Sequence, residues 1–119
     1  MSARNPEALI DDDVLAELRG AMGPEAFADI AVTFCDQVAA MTAAFSAAAT
    51  ARDQRELARI SHELIGLAGT MGAPRLVVVA REAMRLNREG NSEAMQAVAA
   101  TLEQEAAATL EAFRELVPA

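Results

Sequence analysis

The sequence predicts an all-α fold: an antiparallel, up-down four-helix bundle preceded by a short extra N-terminal helix. Three observations carry that prediction. Apolar residues recur three and four apart in five successive segments, the stripe of an amphipathic helix. Alanine abounds, while glycine (six) and proline (four) are scarce in a chain of 119 residues, a composition that favours helix. The breaks between segments are short, and short connections make consecutive helices antiparallel neighbours. The length fits one domain with one core. We read residues 1–10 as a flexible lead-in and 11–119 as that domain.

Asp11-Asp12-Asp13 opens the first helix, with carboxylates at its positive end. Ile10, Val14, Leu18 and Met22 follow at a spacing of four, and Gly20 to Gly23 end this short element. Pro24 suits the first turn of a long second helix, about 24–49. Phe27, Ile30, Phe34, Val38, Met41 and Phe45 form its stripe, with Cys35 on the shoulder as a structural, buried thiol. Asp53 caps a third helix, 54–71, whose stripe is Leu57, Ile60, Leu64, Leu67 and Met71. Gly72 lies past its end, where glycine accepts a left-handed turn. Pro74 opens the fourth helix; Leu76, Val79, Ala83 and Leu86 point inward, and Arg81, Arg85 and Arg88 share the opposite face. Gly90 stops that helix and Ser92 caps the fifth. Its stripe is Met95, Val98, Leu102, Ala106, Thr109, Phe113 and Leu116.

Composition narrows the function. The net charge of −8 argues against nucleic-acid binding. No apolar run reaches the roughly 18 residues of a membrane span, so no membrane partner is expected. The N-terminus lacks a signal peptide's apolar core, and the single cysteine forms no internal disulfide, so we expect a cytoplasmic protein. Charge is unevenly spread. From Arg52 to Arg88 seven arginines face four acids, a net +3 in an acidic chain. That segment suits an acidic partner, although a solvated helix face needs charge as well.

The same segment holds the chain's one histidine, His62. At about 100° per residue, His62 points away from the third helix's apolar stripe, and Gly66 and Gly69 point the same way. Each interior glycine costs a helix about 1 kcal/mol relative to alanine. Without Cβ atoms there, a second molecule can come close to the imidazole.

One histidine and one cysteine do not make a zinc site, and a di-iron bundle needs two Glu-x-x-His motifs. Ser61 points about 100° away from His62, so the pair does not form a hydrolase dyad. No strand precedes a glycine-rich phosphate loop, so the chain has no evident means of binding ATP. We therefore expect no metal site and no cofactor, and no autonomous kinase activity. Nucleophilic chemistry by the imidazole remains, since its ring nitrogen can attack a phosphoryl group held by another protein.

The stretch around His62 resembles the signature of histidine-containing phosphotransfer domains. That signature has His, any residue, Leu, Lys, Gly, any residue, Ala, three of any kind, then Gly. His62, Leu64, Gly66, Ala68 and Gly72 match it, and the resemblance runs from about Asp12 to the C-terminus. It implies the four-helix architecture reached independently above. It also implies that His62 accepts a phosphoryl group from a receiver-domain aspartate and passes it to another. The partners would be receiver domains of a hybrid histidine kinase and of a response regulator, with Mg supplied by the receiver. Four helices can bury each other, so a monomer is expected.

Two positions depart from the family, one in the signature and one on the next helix. Ile65 stands where the family has a lysine that helps hold the phosphoryl group. Met84 stands where a polar residue, often glutamine, occurs on the next helix. Docking would then rest more on apolar contact, and the phosphorylated form would be held by arginine or less tightly. Arg59 and Arg85 are the first candidates to meet the phosphoryl group or an acidic partner, ahead of Arg55, Arg81 and Arg88. Glu63 is a candidate orienting neighbour. Two other readings stay open: an adaptor that binds receiver or kinase domains without carrying phosphate, and a structural bundle with an incidental histidine.

Overall fold

In the computed structural model, which describes residues 8–117, five helices follow one another: α1 Asp12–Met22, α2 Pro24–Ala51, α3 Gln54–Thr70, α4 Pro74–Glu89 and α5 Ser92–Leu116. Helices α2 to α5 form the antiparallel bundle. Each packs on its neighbour in sequence, α5 closes the ring on α2, and α3 packs most extensively on α4. Helix α1 packs on α2.

The start and stop signals act largely as read. Asp11 accepts from the amides of Asp13 and Val14, and Asp53 from that of Glu56, which satisfies helix N–H groups that have no partner within the helix. Pro24 and Pro74 occupy first turns. Gly90 ends α4 in the left-handed conformation. The cap of α5 is Asn91, which accepts from Ala94 N at 3.0 Å, not Ser92. Both residue types cap well, but the αL turn at Gly90 starts the helix at Ser92 itself.

The core is aliphatic around a few rings. Phe27, Phe34, Phe45 and Phe113 are at most 1 % exposed, and Phe34 and Phe113 pack tilted with centroids 4.8 Å apart. The α5 stripe is buried from Met95 to Phe113. Two corrections apply to the other stripes. Ile30 is exposed, and Ala31 and Thr42 join the buried face of α2 instead. On α1 the buried residue is Leu15, whereas Val14, Leu18 and Met22 are only half-buried. Cys35 is buried as anticipated, and burial raises its thiol pKa.

One expectation from the sequence needs correcting: an apolar stretch of span length does occur, because helix α2 is the one described helix long and apolar enough to cross a membrane by length and composition. Here it supplies three of the four core phenylalanines, and Asp29 and Asp36 are exposed on its outer face.

The lead-in expected over residues 1–10 is anchored from Ala8 onwards; residues 1–7 lie outside the described residues. Ala8 O accepts from Arg75 N at 3.3 Å, and Asp11 N donates to Gly72 O at 2.8 Å. Ile10 packs against the core. These contacts tie the start of the domain to the α3–α4 turn, near the C-terminal end of the helix that carries His62.

Candidate functional site

Helix α3 is held from its inner face. Leu57, Ile60, Leu64 and Ala68 are buried, and Ser61 is fully buried beside them, which removes it from any chemistry at the surface. Motif residue Leu64 is thus an anchor in the core. This packing fixes the helix while its opposite face stays free. His62 is exposed, and among the described residues no hydrogen bond or ion pair engages its ring. Glu63 does not orient it, because its carboxylate accepts from Arg59 Nη1 at 2.8 Å.

Gly66 and Gly69 are exposed on that same face, and a Cβ built on either meets nothing within 4 Å. The bundle therefore has room for alanine at both positions, and internal packing does not require glycine. Thr70 Oγ1 donates to Gly66 O at 2.9 Å, which keeps the last turn closed where side chains are sparse. Gly72 differs. It is buried at φ +68°, and a Cβ there would lie 3.0 Å from Val14 Cβ and 3.3 Å from Asp11 O. Both the backbone conformation and the close approach of α1 require glycine at this turn.

Beside the glycines, a shallow hollow of about 370 Å³ lies between Gly69 and Gly72 of the α3 end, Pro74, Val77 and Arg81 of α4, and Val14 of α1. Ile65 packs partly against the core and Met84 is half-buried. Asn87 Nδ2 donates to Gln54 O at 2.8 Å, which sets the antiparallel register of α3 and α4. By that register Arg81 lies about level with His62, Met84 about level with Leu57, and Arg88 about level with Arg55.

The arginines fall into two groups. Arg59 is gripped by Glu56 and Glu63, three residues before and four after it. Arg85 is gripped in the same way by Glu82 and Glu89, with Nη1 2.6 Å from Glu89 Oε2. The Arg85 hydrogen bond holds the Glu82 carboxyl below the usual carboxylate range. The two arginines ranked first in the sequence are therefore already occupied. Arg55, Arg81 and Arg88 are exposed and make no ion pair among the described residues. The signal for this was present in the sequence as two runs of Glu-x-x-Arg-x-x-x-Glu, since residues three and four apart on a helix are neighbours.

A four-helix bundle that presents one exposed histidine on a glycine-cleared face defines a class, the histidine phosphotransfer domain of a two-component phosphorelay. The Hpt domain family model matches residues 29–115, and the chain belongs to that family. Among solved structures it is similar to the crystal structure of histidine-containing phosphotransfer protein B (HptB) from Pseudomonas aeruginosa PAO1. Identity is 26 %, with 92 % of this chain and 94 % of that one covered at a TM-score of 0.86. Among curated proteins, none matches.

Proposed function

We propose that His62 is the phospho-acceptor, taking a phosphoryl group from an aspartate of a hybrid kinase's receiver domain and delivering it to an aspartate of a response regulator's receiver. The observation that carries this reading is the exposed imidazole flanked by Gly66 and Gly69, whose missing Cβ atoms leave open space. A ring nitrogen attacks phosphorus, the bond to the aspartyl oxygen breaks, and the carboxylate leaves with the electron pair. The N–P bond forms, and the proton on the other ring nitrogen can pass to water because the ring is exposed. Delivery runs through the reverse step. Phosphoryl transfer depends mainly on positioning and charge neutralisation, and a rigid helix packed along its whole inner face supplies the positioning.

Mg is assigned to the receiver. Among the described residues no three His, Cys, Asp or Glu side chains gather to hold an ion. We place the protein in the cytoplasm as a monomer. A single buried free thiol fits a reducing compartment, and one chain buries a continuous core of its own.

Ile65 and Met84 put apolar surface where the family has polar groups. In this reading they support docking, and they leave the phosphohistidine without a lysine contact. Ile65→Lys then lengthens the phosphohistidine lifetime; an unchanged lifetime would remove this part of the proposal.

The test of the main claim is phosphoryl transfer from phosphorylated receiver domains of the same organism to wild-type protein and to His62→Gln. Acid-labile, alkali-stable label on wild type alone supports the carrier. Receiver binding without label would instead make the domain an adaptor.

A further inference from the structure

The side-chain ion pairs divide the surface around His62 into a strip and a frame. The strip is the shared outer flank of α3 and α4. On α3 it carries Arg55, His62, Gly66 and Gly69, with Arg55 seven residues before His62 and so about 10 Å along the same face. On α4 it carries Arg81 and Arg88, also seven residues apart. Arg81 lines the same hollow as Gly69, which places it on the α3 side of α4; Asp11, the cap of α1, lines that hollow too. All three strip arginines are without an ion pair among the described residues.

The frame consists of the two Glu–Arg–Glu clamps. The hollow that contains Glu63 is shared with Gln37, Ala40 and Met41 of α2, so the α3 clamp lies on the flank away from α4. The hollow that contains Glu82 is shared with Ala94, Ala97 and Thr101 of α5, so the α4 clamp lies on the flank away from α3. Each clamp sets one guanidinium between two carboxylates and is net negative. A positive strip with the acceptor in it thus runs between two negative borders.

Resting on the carrier reading above, we infer that this pattern selects the receiver: the strip admits a receiver with an acidic centre, and the clamps require that receiver's rim to be basic and turn away one with an acidic rim. An unpaired guanidinium is free to bond a partner carboxylate, often in bidentate fashion. Like charges brought together at an interface suppress wrong partners. Arg59 and Arg85 then act as positioning residues that hold the border carboxylates in place and are not themselves docking cations.

The experiment titrates purified receiver domains from the same organism against His62→Gln protein by calorimetry, at low and at physiological salt. His62→Gln keeps docking separate from transfer. With a receiver that binds, Arg55→Gln/Arg81→Gln/Arg88→Gln weakens binding by about tenfold or more and flattens its salt dependence. Arg59→Ala/Arg85→Ala leaves the border more negative and leaves binding the same or up to a few-fold tighter. Glu63→Lys/Glu89→Lys weakens that receiver and gains binding to one with an acidic rim that the parent rejects. Circular dichroism confirms that each variant keeps its helices.

Weaker binding in Arg59→Ala/Arg85→Ala, matching the loss in the triple variant, would overturn the inference. So would the absence of binding by any receiver, or an unaltered choice of receiver in the charge-reversed protein. Absence of label on wild type with these charge effects intact would count against the carrier reading and leave the docking pattern standing.

Discussion

On the inner face of α3, Leu57, Ile60, Leu64 and Ala68 are no more than 2 % exposed. On the outer face, His62, Gly66 and Gly69 are exposed, and neither glycine has a neighbour that a Cβ would touch. The inner residues are those the fold requires at those positions. The outer glycines are poor helix formers in a helix that has room for alanine. Residues that weaken their own element, and that no contact among the described residues explains, point to a contact outside it. Gly72 is the control for that argument. It belongs to the same motif, yet its positive φ and the 3.0 Å approach of Val14 account for it within the fold.

The largest stability effect should come from the inner face. Leu64→Ala removes a fully buried side chain and should cost about 2–5 kcal/mol in chemical denaturation. A loss below 1 kcal/mol would mean that α3 is not held as described. Gly72→Ala should cost about 1–3 kcal/mol, from a strained left-handed residue and crowding against α1. If it proved neutral, Gly72 would join Gly66 and Gly69 as a residue kept for a partner, and the contrast within the motif would disappear.

A smaller effect tests the clamps. The Glu82 carboxyl, held low by Arg85, should titrate below the ordinary carboxylate range by NMR and return toward it in Arg85→Ala. Because the folded-state pKa is lowered, the pair's contribution is present above the ordinary carboxylate pKa and is lost as pH falls through the lowered value. An identical Glu82 titration in both proteins would show that the clamp does not persist in solution.

Much of the fold was legible because one physical signal, apolar spacing, determines it. Five helices, the Asp11 and Asp53 caps, the turns at Gly72 and Gly90 and the α5 stripe were all in the sequence. The exceptions are local. Asn91 and Ser92 are adjacent residues that both cap helices, and only the backbone at Gly90 decides between them. Spacing alone places Ile30 inward, but on an alanine-rich helix Ala31 fills a close-packed face as readily as a larger residue. At the site, the position of His62 and the cleared face followed from helical phase. The arginines did not, because helical phase places a charge but does not show that carboxylates at i−3 and i+4 already hold Arg59 and Arg85. Those neighbours decide which cations can meet a partner.

The most direct test of the central claim, that the outer face of α3 is kept open for a partner at the expense of its own helix, is the double variant Gly66→Ala/Gly69→Ala. Its unfolding free energy and its rate of phosphoryl transfer from a cognate receiver should be measured on the same preparation. Stability should rise by up to about 2 kcal/mol for the pair, while transfer slows by tenfold or more because two methyl groups stand in the approach to His62. A protein that is both more stable and equally fast would contradict the claim.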